Sequence, residues 1–212
     1  MTTTDPMTTT DPMTTTDTAP WLVVIDMQRV FTGDSAWAAP GYARAATAIE
    51  RLLPRFAGRT VRTRFVAPEH PEGAWVDYYR DWPFALVPDA DPLYELTEPF
   101  GAVDGPVVTE PTFGKWGTSL QTVVGDHPHL VLTGVSTDCC VLATALAAAD
   151  AGARVTVVAG ACAGASDADH ERALDAMRLY APLVTVVDTL DTLDDCPGDP
   201  PRVGGSRVGV SA

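Results

Sequence analysis

His129-Leu-Val-Leu-Thr-Gly-Val-Ser-Thr-Asp-Cys-Cys-Val-Leu-Ala-Thr-Ala-Leu-Ala-Ala-Ala-Asp-Ala151 is the stretch on which the fold turns. It opens as a short apolar run, Leu130 to Leu132, and breaks at Gly134. It resumes as an alanine-rich segment with Val141, Leu142, Ala145, Leu146 and Ala149 at helical spacing, so it reads as strand, turn, helix. Ser136, Thr137 and Asp138 are capping types, which predicts a helix starting close to Asp138 with Cys139 and Cys140 in its first turn. A thiol there lies among unpaired backbone N–H groups at the positive end of the helix dipole, a setting that favours thiolate. The residues alone leave a plainer alternative open, in which two buried cysteines fill space as small apolar side chains.

Upstream, Trp21-Leu-Val-Val-Ile25 is a continuous apolar run of strand length ending at Asp26, the pattern of a parallel strand buried on both faces. Pro40 to Phe56 places Ala45, Ala46, Ile49, Leu52, Leu53 and Phe56 on one helical face, with Gly58 as the stop. Thr60 to Ala67 is β-branched enough for a second strand despite its arginines. From Pro68 to Gly105 no long periodic element emerges, and long irregular segments inside domains are commonly functional. Val107 to Glu110 predicts a third strand, followed by a short helix from about Ser119. Arg154 to Ala159 predicts a fifth strand, Asp167 to Tyr180 a helix with Ser166 and Asp169 at its cap, and Leu183 to Val187 the last strand. Strands alternating with helices imply a doubly wound α/β fold with a parallel sheet between helical layers. In such sheets ligands bind beyond the carboxyl ends of the strands where strand order reverses, commonly between the first and fourth strands. Asp26 and Cys140 would face that crevice, with Lys115 reaching in from the side.

The 212 residues carry a formal charge of -14 and a pI near 4.4, a balance that argues against a nucleic-acid backbone or an anionic membrane as partner. No apolar run has membrane-spanning length, and no basic-then-apolar leader opens the chain, so a cytoplasmic location is expected. The four cysteines comprise the adjacent pair, Cys162 and Cys196, and form neither a secreted disulfide framework nor a paired zinc site. Met1 to Thr16 repeats Met-Thr-Thr-Thr-Asp-Pro, a core-less sequence expected to be disordered. The expected organisation is a tail over 1–18, one domain over 19–193, and a Pro/Gly/Ser-rich tail over 194–212.

A carboxylate, an ammonium and a thiol converging on one crevice are a working set for attack on a carbonyl. Singly, each has a bland reading: Asp26 as a turn cap, Lys115 as a solvated charge.

Three local patterns carry a resemblance. They are Val23-Val-Ile-Asp-Met-Gln28 with Phe31, Phe113-Gly-Lys115 followed by Thr118-Ser119, and Gly134-Val-Ser-Thr-Asp-Cys-Cys-Val141 with Thr144-Ala145. In these the chain resembles the isochorismatase-like cysteine hydrolases, which include nicotinamidases, N-carbamoylsarcosine amidohydrolase and isochorismatases. The resemblance spans roughly Trp21 to Val187. It implies a six-stranded, Rossmann-like three-layer αβα fold and a triad of Asp26, Lys115 and Cys140, with Cys140 rather than Cys139 as nucleophile. It further implies a non-proline cis peptide between Val135 and Ser136, an oxyanion hole from the N–H groups of Ser136 and Cys140, no cofactor, and a homo-oligomer acting on a small-molecule substrate.

Two departures from the family pattern narrow the expectation. The Asp-x-His metal motif and further His of nicotinamidases are missing after the second strand, where Thr63-Arg-Phe-Val-Ala-Pro68 stands and only His70 and Asp77 follow, so no metal is expected. Isochorismatases, which cleave a vinyl ether, typically lack the nucleophilic cysteine kept here. The leading expectation is a metal-independent hydrolase of an amide, carbamoyl or related C–N bond. The alternatives are a non-amide hydrolase of an isochorismate-like acid and a catalytically silent binding protein on the same fold. Phe31, Trp75, Tyr79, Arg80, Trp82 and Trp116 are candidates for the substrate pocket, the aromatics as its apolar wall and Arg80 as a carboxylate partner. The competing reading is a loop packed down by its own aromatics. His127, His129 and His170 read as surface or packing positions, and His70 as a loop residue.

Overall fold

The computed structural model describes residues 19–189. The repeat at the amino terminus, residues 190–193 of the expected domain, the tail over 194–212 and Cys196 lie outside the described residues. Six parallel strands form one sheet in the order β3-β2-β1-β4-β5-β6, with β1 Trp21–Ile25, β2 Thr60–Phe65, β3 Val107–Glu110, β4 His129–Val135, β5 Arg154–Ala163 and β6 Val184–Val187. Helices α1 Tyr42–Leu52, α2 Trp75–Asp81, α3 Thr118–Val124, α4 Leu142–Asp150 and α5 Asp167–Arg178 connect them.

Strand alternation sorts the core into two layers. Leu22 and Val24 of β1 face Ala45, Ile49 and Leu52 of α1. Val23 and Ile25 face Leu120 of α3, Ala145 and Ala148 of α4, and Leu174 and Met177 of α5. Every one of those strand residues is inaccessible to solvent, which accounts for the unbroken apolar run.

The order reverses between β1 and β4, which pair from Trp21 with Leu130 to Ile25 with Gly134. Gly134 has φ +107°, and a Cβ on it would lie 2.0 Å from the carbonyl oxygen of Ile25. Only glycine permits that approach, and it brings the ends of the two strands together where the site lies.

Arg62 and Arg64, awkward for a buried strand by sequence alone, organise the segment 66–106. Arg62 is 6% exposed and donates to the carbonyls of Phe100, Gly101 and Gly105. Arg64 donates to the carbonyls of Tyr94 and Asp89 and pairs with the Asp89 carboxylate. The segment holds the short helix α2 and several single 3-10 turns, pinned by side chains reaching backbone groups. Gln28 completes this: its Nε2 donates to the carbonyls of Phe65 at 3.0 Å and Tyr94 at 2.8 Å, and its Oε1 accepts from the Phe65 N–H at 2.8 Å.

Two boundaries differ from the sequence reading. β5 runs on to Ala163, past a register shift against β4 between Leu132 and Gly134. The helix expected from Asp138 begins later, at Leu142, because Thr137–Val141 forms one wider turn. Among the described residues no helix is long and apolar enough to cross a membrane.

Candidate active site

Asp26 follows β1 in a left-handed conformation, φ +51°, and is wholly buried. Thr63 of β2 holds it there: its Oγ1 donates to Asp26 Oδ1 at 2.6 Å and accepts from the Asp26 N–H at 3.2 Å. Lys115 arrives from the β3–α3 connection, and its Nζ lies 3.0 Å from Asp26 Oδ2 with neither side chain exposed. The ammonium also donates to the Thr112 carbonyl at 2.8 Å and stands 5.1 Å from the centre of the Phe65 ring. Oδ2 takes no well-aligned hydrogen bond, which leaves it able to accept another proton.

Cys140 is 2% exposed and sits on the wide turn, whose bonds run from the Val141 N–H to the Ser136 carbonyl and from the Leu142 N–H to the Thr137 carbonyl. These i to i+5 bonds bypass the Cys140 N–H. The Val135–Ser136 peptide bond is cis. The Cys140 thiol adjoins the Asp26 carboxylate and the Ser136 N–H. Burial first, and then the neighbouring Asp26 charge, push its pKa well above the ordinary thiol value, against the opposing pull of Lys115 and the Ser136 N–H. Burial and the neighbouring carboxylate therefore oppose the helix-terminal setting that favours thiolate. The neighbouring Cys139 is partly buried and pushed up to about 11 by burial and by Asp138.

Thr144 ties these pieces together. Its hydroxyl donates to the Cys140 carbonyl at 2.6 Å and accepts from the Lys115 N–H at 2.9 Å, so the lysine backbone is fixed to the helix that carries the thiol. On the other side, Thr137 Oγ1 meets His170 Nδ1 at 2.8 Å.

Cys140 opens on a cavity of about 320 Å³ lined by Phe31, Trp37, Phe65, Tyr78, Trp82 and Phe113, with Ser136, Asp138, Cys139 and small residues between them. Burial raises the Tyr78 pKa, so its phenol stays protonated beside the two thiols. Of the expected pocket residues, Phe31 and Trp82 line this cavity. Trp75, Tyr79, Arg80 and Trp116 do not. Trp75 packs on Phe113 and Tyr79 behind the wall, and Tyr79 is 2% exposed. Trp116 packs into the core layer beneath α3 and α4. Arg80 pairs with Asp77 one helical turn away on the surface. Trp75, Tyr79 and Arg80 lie on α2, a helix too short for sequence periodicity to reveal, and Trp116 in the β3–α3 connection, so the sequence gives no facing direction for any of them. Sequence reasoning missed Thr63 and Trp37; a polar residue in a buried strand beside Asp26 was the available signal for the first.

The fold and this constellation define a three-layer α/β protein with a cysteine-centred site at the sheet's switch point. The chain belongs to the isochorismatase family, whose Isochorismatase domain model matches residues 20–190. Solved structures share its fold. An isochorismatase family protein from Desulfovibrio vulgaris subsp. vulgaris str. Hildenborough aligns at TM-score 0.68 and 20% identity, over 83% of this chain and 96% of that one. A cysteine hydrolase from Pseudomonas syringae pv. phaseolicola 1448A aligns at TM-score 0.66 and 21% identity, over 79% and 87%. The pyrazinamidase of Pyrococcus horikoshii, solved in complex with zinc, aligns at TM-score 0.61 and 24% identity, over 79% and 98%. No curated protein matches at a significant level.

The residues of this chain do not fit a zinc ion. Among the described residues no group of three His, Cys, Asp or Glu side chains is disposed to hold a metal, and no histidine lines the cavity. His70 lies on the surface, its side chain 88% exposed.

Proposed function

We propose that the protein is a cysteine hydrolase that cleaves an amide, carbamoyl or related C–N bond of a small molecule without a metal. The observation that carries this reading is the buried Asp26–Lys115 pair set beside the Cys140 thiol, which lines the cavity.

In this mechanism the sulfur attacks the substrate carbonyl as its proton passes to Asp26 Oδ2. The tetrahedral oxyanion is received by the N–H groups of Ser136, which adjoins the Cys140 thiol, and of Cys140 itself. Asp26 returns the proton to the leaving nitrogen, the C–N bond breaks, and an acyl thioester remains on Cys140. Asp26 then deprotonates a water that attacks the thioester, and the thiol is restored. Lys115 balances the negative charge on Asp26 and sulfur in turn, and Thr63 leaves Oδ2 as the oxygen that exchanges the proton.

A vinyl-ether hydrolase of a dianionic acid is disfavoured by the cavity wall, which carries Asp138 and no cationic side chain. The experiment is ammonia release from a panel of small primary amides, ureides and carbamoyl compounds, with rapid-quench mass spectrometry of the acyl adduct on Cys140. A protein that hydrolyses none of them, and whose Cys140 reacts with no electrophile at neutral pH, is the silent binding protein instead.

A further inference from the structure

The wall of the cavity carries one acidic side chain, Asp138, and neither lysine, arginine nor histidine. The two oxygens of that carboxylate are unequally occupied. Oδ1 accepts the Ser136 hydroxyl, through a short contact, and the Ala165 N–H at 2.9 Å. Oδ2 meets only the Cys139 thiol at 3.6 Å, a weak donor. An acceptor with most of its capacity unused therefore stands beside the nucleophile.

In the same cavity, Trp37 is the centre of the aromatic wall. Its ring lies 6.3 Å from that of Phe31, 5.6 Å from Phe65, 6.0 Å from Tyr78, 6.2 Å from Trp82 and 5.0 Å from Phe84. Aromatic faces attract cations through the ring quadrupole, and grouped rings are the recurrent means of holding an ammonium. An anion entering the same space would lose its hydration beside Asp138 and meet only neutral donors on the wall, the Tyr78 hydroxyl and the buried, unpartnered Trp37 Nε1–H among them. Lys115 offers no help, because it lies behind the wall and is committed to Asp26 and Thr112.

We infer that the substrate is an amide with an aromatic or apolar body and a cationic nitrogen, held by Asp138 Oδ2 and the Trp37 wall, and that carboxylate-bearing amides are excluded. The bond cleaved rests on the function proposed above; the charge preference is a property of the cavity and is tested apart from it.

The test uses the full chain with Cys140→Ala, titrated by calorimetry with phenethylammonium, phenethyl alcohol and hydrocinnamate, which share a body and differ in charge. Phenethylammonium is expected to bind at least about tenfold more tightly than hydrocinnamate. Adding Asp138→Asn, which keeps an oxygen for the Ala165 N–H, should cut that ratio to about threefold or less. If that variant does not fold, Trp37→Leu provides the second measure, with the ammonium losing more affinity than the alcohol. Equal binding of ammonium and carboxylate, or no measurable binding of any probe, overturns the inference. Hydrolysis by the unmodified enzyme of para-aminomethylbenzamide, para-toluamide and para-carbamoylbenzoate separates the two claims. Turnover without charge preference sinks this inference alone, whereas ammonium-selective binding without any hydrolysis sinks the proposed chemistry alone.

Discussion

Lys115 Nζ lies 3.0 Å from Asp26 Oδ2, and neither side chain reaches solvent, so each charge depends on the other for compensation. Removing one partner strands a buried charge, at a cost of about 3 to 5 kcal/mol. Asp26→Asn and Lys115→Met should each lose that much by urea unfolding and lose hydrolysis. The double variant should be more stable than the sum of the two losses predicts. Additive losses would mean that the pair is not the coupled unit described.

Cys140 and Cys139 should separate under alkylation. Cys140→Ala is expected to abolish turnover, while Cys139→Ala retains it with an altered KM, since Cys139 lines the cavity but adjoins neither Asp26 nor Lys115. Site-resolved mass spectrometry after iodoacetamide treatment across a pH series reads the same distinction. Loss of turnover only in Cys139→Ala would place the nucleophile one residue earlier.

Thr63→Val keeps the shape of the strand and deprives Asp26 Oδ1 of its donor. The expected cost is about 1 to 3 kcal/mol of stability, with kcat falling more than KM rises, because the carboxylate loses the bond that presents Oδ2 to the thiol. A variant with wild-type kcat would leave Thr63 a packing residue only.

Gly134→Ala tests the strand closure. An added Cβ would meet the Ile25 carbonyl at 2.0 Å in a backbone conformation with φ +107°. Strain of this kind exceeds what side-chain adjustment relieves, so a loss of about 3 kcal/mol or more is expected in thermal unfolding. A fully stable alanine variant would contradict the backbone approach of β1 and β4.

Alkali should unfold the protein through its thiols. Burial raises the folded pKa of Cys162 from 9.0 to about 12, that of Cys139 to about 11, and that of Cys140 well above 9.0. The unfolded chain therefore releases these protons first as pH rises. The stability they provide is whole below pH 9 and is lost as pH climbs through the folded values, by up to about 1.4 kcal/mol per pH unit for each thiol. On the acid side, burial lowers the His170 pKa below 6.5, so its contribution is present above that value and is lost as pH falls through the folded one. Urea titrations under reducing conditions from pH 5 to about pH 11 should show both flanks, and the alkaline one should shrink in Cys162→Ala.

The alternation of apolar runs with helical periodicity was enough to read the sheet, most plainly at Leu22 to Ile25 of β1 and Leu130 to Leu132 of β4, which are wholly buried and carry no polar interruption. Asp26 was legible because it ends such a run at the switch point, and Cys140 because it lies in the turn that follows β4 there. What could not be read depended on contacts made at a distance. Trp37 sits in a non-periodic stretch, and its role arises only when Phe65, Tyr78 and Phe84 close around it. Arg80 and Trp116 look equally suitable on paper, but one turn of helix carries Arg80 to Asp77, and Trp116 packs into the opposite layer. The state of Cys140 followed the same pattern, since the local helix terminus was visible in sequence and the desolvation that outweighs it was not.

Gln28 binds the segment 66–106 by the Tyr94 carbonyl, holds the end of β2 that leads into it by the carbonyl and N–H of Phe65, and touches no side chain of either in doing so. Backbone groups are common to every residue, so the anchorage is indifferent to what the segment spells. The part of the chain that supplies Tyr78 and Trp82 to the cavity is thus free to diverge while these attachment points stay put, held by a residue two positions from Asp26. Such a segment behaves as an exchangeable cassette: substrate preference can be rewritten within it without disturbing Asp26, provided the replacement returns its backbone to the same amide.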